Sequence, residues 1–311
     1  TPSEADIKVT RDLIRAGHDQ PTYENHISSF LSGGGSVARD VSFFFSWSPF
    51  PAPMFHQASL GLHNLGRGVL GEGTLNVKAG LILLLDAQRP AHRGLAPGDG
   101  IAGVVRVGRT PFVLDDSTLG VKLEGRPMFG PLTYELAVVA GPPGVGKDPD
   151  KWKDVFGRLS YIWALNTSHE VKTGLFGYLG HAERVANLGG VVLRQSDRFW
   201  LAGFDLEATL GRFDLNGMIY ASHHDDPDIG GEAVSFVAAR VEPKWGVTPR
   251  WIVAVRGDWV GSEDDHSLHR TQVAPHVTYL LATNVLASVV WRQDLLNLDN
   301  STANAVLEVA F

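Results

Sequence analysis

From position 41 onward the chain alternates. Val41, Phe43, Phe45 and Trp47 are interleaved with Ser42, Phe44, Ser46 and Ser48. Successive strand side chains point to opposite faces, so this period of two predicts a strand with one oily face and one small-polar face. The rhythm returns at Leu75–Leu83, Leu119–Leu123, Leu132–Ala140, Val155–Leu165, Val171–Leu179, Trp200–Leu210, Phe213–Ile219, Trp251–Trp259, Val273–Leu281 and Val285–Trp291. The last run, Thr302–Phe311, puts Ala303, Ala305, Leu307, Val309 and Phe311 on one face. Polar or glycine-rich segments separate the runs, as hairpin turns and loops require.

Charge decides what the oily face meets. Lys122 and Glu124, Arg158, Asp205 and Glu207, and Arg256 and Asp258 all fall on the opposite face from the apolar set. A lipid-facing arginine or lysine at mid-membrane would cost about 2–4 kcal/mol, and this distribution avoids that cost. Trp47, Trp163, Trp251, Trp259 and Trp291 lie on the apolar face near the ends of runs, as an aromatic belt would. A soluble sandwich also alternates, but its water-facing side is rich in Lys, Thr and Glu, whereas here Gly, Ser and Ala crowd the polar face. A propeller would show a repeat of about 40–45 residues, and none is seen. The expected fold is therefore all-β, a transmembrane antiparallel β-barrel of roughly 14 to 17 strands. Single-chain bacterial barrels have even counts, which selects 16, with 14 as the alternative.

Some segments break the pattern. Residues 1–21 read as a short periplasmic or lumenal arm, leaving 22–311 as the barrel, with a first strand over Tyr23–Ser32. Asp86–Gly100 is rich in Pro, Gly, Arg and His and reads as a long loop; a short strand over Val104–Val107 and the irregular GRTPFVLDDS follow it. This is the segment expected to fold inward and set the bore, around Arg106, Arg109, Asp115 and Asp116. The pattern leaves Ala186–Ser196 ambiguous and does not fix the register of Ala233–Glu242.

The 311 residues are 44% hydrophobic and 20% charged, with a net charge of −7. The dispersed, mildly acidic charge argues against nucleic acid as a partner. With no cysteine, the chain offers no disulfide, thiolate metal site or covalent haem attachment. Thr1 begins no recognisable signal peptide, so an exported protein would have had it removed or omitted. No apolar run approaches the roughly 18 residues of a membrane helix.

The ending resembles the C-terminal signature of bacterial outer-membrane β-barrel proteins, an alternating apolar strand with a terminal Phe. Three longer stretches resemble the phosphate-selective porin O/P family: GEGTLNVKAGLI at Gly71–Ile82, LDDSTLGVKLEGRPMFGPLTYELAVVAG at Leu114–Gly141, and DRFWLAGFDLEATLGRFDLNGMIY at Asp197–Tyr220. The resemblance implies an integral protein of the bacterial outer membrane, surrounded by its lipid and usually a homotrimer. It would be no enzyme but a water-filled channel for passive diffusion of small polar solutes or ions. Related barrels also sheathe multihaem cytochromes in electron conduits. In that alternative any haem belongs to the partner, because this chain has no Cys-x-x-Cys-His and so no cofactor of its own.

The expected pore lining comprises Lys78, Arg106, Arg109, Asp115, Asp116, Lys122, Glu124, Arg126, Arg158, Asp205, Glu207 and Arg256. Their mixed signs do not select anions or cations. His223, His224, Asp225 and Asp226, and again Asp264, Asp265, His266 and His269, could ligate a metal. Both groups read more simply as solvated loop residues, so no metal is expected. Gly141–Lys147 departs from phosphate-loop spacing. Ser, His and Asp are too scattered along the chain to argue a catalytic triad.

Overall fold

Alternation becomes a wall. The computed structural model describes residues 29–50, 54–85, 101–103, 105–108, 114, 117–127, 130–141, 153–166, 168–188, 191–227, 232–282, 285–298 and 301–309. The strands are β1 (Ser29–Ala38), β2 (Val41–Phe50), β3 (Met54–Leu62), β4 (Asn76–Leu83), β5 (Ser117–Gly125), β6 (Leu132–Val139), β7 (Asp154–Asn166) and β8 (His169–Leu188). They continue as β9 (Val191–Leu210), β10 (Phe213–His224), β11 (Val234–Gly246), β12 (Trp251–Gly261), β13 (Arg270–Ala282), β14 (Val285–Asp294) and β15 (Ser301–Val309). Each pairs antiparallel with its sequence neighbours in one sheet ordered β1 to β15. This is an up-and-down transmembrane β-barrel wall, with almost no helix among the described residues beyond one turn, α1 (Arg67–Leu70).

The described residues hold 15 strands, one short of the expected 16, and no ladder between β15 and β1. The proposed arm, the Tyr23 strand start, the Asp86–Gly100 loop and Phe311 lie outside the described residues. β1 (Ser29–Ala38) runs through Gly33, Gly34 and Gly35, past the expected end at Ser32. Glycines carry no side-chain period, so the pattern could not locate this strand. The ambiguous Ala186–Ser196 holds the end of β8 and the start of β9. There β8 and β9 pair from His169↔Leu210 to Leu188↔Val191 and outrun their neighbours. β7 follows β8 only to Leu179, and β10 follows β9 only to Phe199.

Register confirms the two faces. Leu159, Leu175 and Phe204 stand side by side on β7, β8 and β9, and all are exposed. Trp163, Trp251, Trp259 and Trp291 are exposed on the same outer surface. Their neighbours on the other face, Phe156, Arg158, Ser160, Phe176 and Asp205, are buried. An apolar exterior about a strand length tall, fringed by tryptophans, is what a bilayer selects. Ala303 and Ala305, opposite Trp291 and Val289, continue that exterior onto β15. The unfixed β11 register is settled by pairing with β10: Phe236, Ala238, Arg240, Glu242 and Lys244 face in. Pro243, opposite Leu215, breaks the apparent rhythm on the outer face.

Most connections on one side are short. The β9–β10 connection is Gly211–Arg212, with Gly211 at φ 69, the positive value that the first position of a two-residue hairpin turn favours. The longest connection, 84–116, leaves the other end.

Candidate lumenal site

The inner face carries two layers. The layer nearer the tight turns is charged. Lys78 on β4 meets Glu124 on β5 at 2.9 Å; Lys122 meets Glu124 at 3.3 Å and Glu135 on β6 at 3.1 Å. Arg158 on β7 is the hub. Its Nη1 donates to Glu135 (2.9 Å), its Nε and Nη2 form a fork on Asp205 of β9 (2.9 and 2.5 Å), and Nη2 also reaches Glu207 (3.3 Å). Lys172 on β8 closes the series on Glu207 at 3.9 Å.

The strand alternation delivers these groups to one face, and the antiparallel register brings them to one height. Four cations thus face four carboxylates along β4–β9, and the band carries no net charge. A second band lies on the opposite wall, where Arg240 and Arg256 clamp Asp258 (3.0 and 2.9 Å) and Lys244 holds Glu242 at 2.7 Å. His276 on β13 is buried beside it.

Gly174 on β8 makes the hub possible. A methyl group built there would lie 2.6 Å from Asp205 Oδ2 and 3.0 Å from Arg158 Nε. We expect Gly174→Ala to force the fork apart and lower the urea midpoint of the folded barrel, by an amount that shrinks in an Asp205→Ala background, which removes the crowded carboxylate. Equal losses in both backgrounds would show that the glycine serves the backbone alone.

The second layer is apolar and aromatic, toward the long-loop end. Phe156, Phe176, Leu201, Met218, Tyr220, Phe236 and Val260 point inward and are buried. Tyr178 stacks on Phe199 at 5.7 Å, and Phe199 stacks on His224 at 4.9 Å. The Tyr178 hydroxyl donates to Asp154, and His224 Nδ1 lies 2.8 Å from Asp197 Oδ2, which leaves His224 Nε2 buried without a hydrogen bond.

Into this layer comes the segment after β4. A 3-10 turn, Ile101–Gly103, packs against β11, β12 and β13, and the Tyr220 hydroxyl donates to the Ala102 carbonyl at 2.6 Å. β4 and β11 stand seven places apart in the sheet order, so the chain that leaves β4 docks again on a distant part of the wall. Val105, Val107 and Leu114 are buried with it. The loop was expected to set the bore around Arg106, Arg109, Asp115 and Asp116; the docked residues are Ala102, Val105, Val107 and Leu114, residues 105–108 form no strand, and the segment docks through apolar groups.

Of the expected lining residues, Lys78, Lys122, Glu124, Arg158, Asp205, Glu207 and Arg256 do share the inner face. The first six are mutually paired, Arg256 pairs with Asp258, and Lys122, Arg158 and Asp205 are sealed from water. Lys78, Glu124, Lys172 and Glu207 keep between a fifth and a third of their side-chain surface exposed. Arg106 is exposed beyond the docked segment. Arg126 sits exposed in the β5–β6 turn, donating to the Gly130 carbonyl. Arg109, Asp115 and Asp116 lie outside the described residues. Sequence reasoning missed Glu242 and Lys244, because their strand register was unreadable, and the aromatic layer, because its members looked like ordinary strand residues.

The two metal readings dissolve. Alternation sends His223 outward and His224 inward, on opposite sides of the wall. Asp264 accepts the Ser235 amide and Asp265 caps Ser267, so both carboxylates have structural duties. Among the described residues no cluster of His and carboxylates has metal-site geometry.

No protein-family model matches the chain, and no curated protein matches it. Solved structures do. The trimer form of OmpT, an outer membrane protein of Vibrio cholerae, is 14% identical with a TM-score of 0.57, covering 93% of this chain and 90% of that one. OmpF of Salmonella typhi, solved in complex with daunomycin, is 12% identical with a TM-score of 0.58 (93% and 92% covered). An anion-selective porin from Comamonas acidovorans is 12% identical with a TM-score of 0.55 (90% and 84% covered). The chain has the fold of outer-membrane porins. Together with its lipid-matched exterior, that fold makes it an integral outer-membrane β-barrel.

Proposed function

We propose that the protein is an outer-membrane diffusion channel of narrow bore for small polar solutes and ions. One observation carries this reading: the turn Ile101–Gly103 is docked on the inner face, far along the sheet from β4, and is pinned there by Tyr220, while a band of paired charges lines the same face. That arrangement narrows a barrel without requiring a separate plug. Because both charged bands are nearly neutralised internally, the field across the bore is weak and selectivity is low. The anion-selective Comamonas porin shares the fold, and the surplus cation at Arg240, Arg256 and Lys244 favours the same direction, weakly.

Two finer readings belong with this one. The stretches resembling the phosphate-selective porin O/P family fall on β4, on β5–β6 and on β9–β10, and that resemblance supports kinship. The trimer form of the Vibrio protein supports a homotrimer here. The cytochrome-sheath alternative finds no support: a sheath needs a protein-sized bore, and the inner face carries an aromatic layer packed against the chain's own segment.

Planar-bilayer recording on the refolded barrel tests the channel. Ohmic single-channel steps are expected, with a reversal potential close to zero across a salt gradient. Val105→Asp with Val107→Asp should undock the segment, by burying two unpaired carboxylates, and raise both unit conductance and its noise. A folded, membrane-inserted barrel that passes no current would overturn the proposal.

A further inference from the structure

The outer rim holds a group that the channel does not use. Ser235 on β11 and His223 on β10 are cross-strand partners, and both face outward. The Ser235 hydroxyl lies 2.9 Å from His223 Nδ1. The other ring nitrogen, His223 Nε2, lies 3.4 Å from Asp225 Oδ1. Nucleophile, base and orienting carboxylate thus stand in series, the arrangement that activates a serine for acyl transfer. We propose that Ser235, His223 and Asp225 form an esterase site for acyl esters of outer-leaflet lipids.

Three further observations favour chemistry over coincidence. Ser235 is held rigidly: its amide donates to Asp264 Oδ2 at 2.7 Å, and its carbonyl accepts from the Ser262 hydroxyl at 2.6 Å. Both contacts come from the loop after β12, which in turn is fixed by the Asp265 amide donating to Ser262. A nucleophile clamped on both backbone groups is preorganised. Next, the site is open, with His223 and Asp225 keeping 33% and 58% of their side-chain surface exposed. Finally, its height is right. His223 pairs directly with Trp200, whose ring lies 6.4 Å away on the outer face. An outward tryptophan marks the level of the lipid headgroups and ester bonds. A channel has no use for a serine–histidine–aspartate series on that face.

The reaction balances with water as the only co-reactant. Ser235 Oγ bonds to the ester carbonyl carbon as its proton passes to His223 Nδ1. Asp225 steadies the imidazolium through Nε2. The tetrahedral adduct collapses, the ester C–O bond breaks, and His223 returns the proton to the departing alcohol. Water, deprotonated by His223, then hydrolyses acyl-Ser235 to a fatty acid and free serine.

The full barrel, refolded in detergent, should be treated with a biotinylated fluorophosphonate and mapped by mass spectrometry. In parallel, fatty-acid release from phosphatidylglycerol micelles should be followed. Labelling at Ser235 is expected, together with hydrolysis that falls about a thousandfold or more in Ser235→Ala and His223→Ala. Asp225→Asn should lower the rate while leaving substrate affinity unchanged. Mapping separates Ser235 from Ser196, whose hydroxyl lies 2.7 Å from His181 Nε2 on the same face. An unlabelled Ser235 in the folded wild type, or hydrolysis unchanged in Ser235→Ala, would overturn the proposal. Neither result touches the channel reading, because conductance is measured independently and these residues face away from the lumen.

Discussion

Arg158→Ala is expected to be the most destabilising single change in the barrel. The guanidinium donates to three carboxylates on two strands, Glu135, Asp205 and Glu207, and none of its side chain is exposed. Removing it leaves Asp205, also fully buried, without the fork that holds both its oxygens. An uncompensated buried charge of this kind costs about 3–5 kcal/mol. Arg158→Lys should recover only part of that loss, because an ammonium cannot reproduce the bidentate geometry. Arg158→Met paired with Asp205→Leu removes both charges and should be milder than Arg158→Ala alone. Equilibrium urea unfolding in lipid vesicles, followed by tryptophan fluorescence, measures all three. If Arg158→Ala costs less than about 1 kcal/mol, in the range of an exposed pair, then water reaches the hub and the band is more open than its burial indicates.

Leu175→Arg is expected to cost about 2–4 kcal/mol by the same measurement, because it places a charge on the lipid face midway between the two aromatic fringes. Leu175 is 65% exposed, yet it is exposed to hydrocarbon rather than water. It lies between Leu159 and Phe204, with Trp163 toward one end of its strand pair and Trp200 toward the other. Leu165→Arg is the control. It is similarly exposed but lies at the turn end of β7, where the cost should fall to about 0–1 kcal/mol. A soluble protein would tolerate both changes. Equal, small effects would therefore remove the outer surface from the membrane, whereas a depth-dependent difference places it there.

The two-face architecture was legible in the chain because side-chain alternation is local. Each run of apolar and polar positions states its own inner and outer faces, and the lipid penalty keeps charge off one of them. The lumenal placement of Lys122, Arg158, Asp205 and Arg256 and the outward placement of the tryptophans follow from parity alone. Where parity fails, the sequence was silent. Gly33, Gly34 and Gly35 carry no side-chain period, so the end of β1 was expected too early. Pro243 on the outer face hid the β11 register, and with it Glu242 and Lys244.

Contacts between distant residues were decided only by the tertiary structure. Alternation says that Arg158 and Asp205, 47 positions apart, face inward; only the strand register says that they meet, and so turns an expected open field into a neutral, stapled band. Likewise, a glycine- and proline-rich loop can be expected to fold inward, but its landing point on Tyr220, 118 positions from Ala102, depends on the closing curvature of the wall. Ser235, His223 and Asp225 looked scattered because their partnership crosses a hairpin. Adjacent His223 and His224 looked like a pair and stand on opposite sides of the wall. Periodicity assigns a residue to a face, while register, which sums over every turn between two strands, chooses its neighbour there.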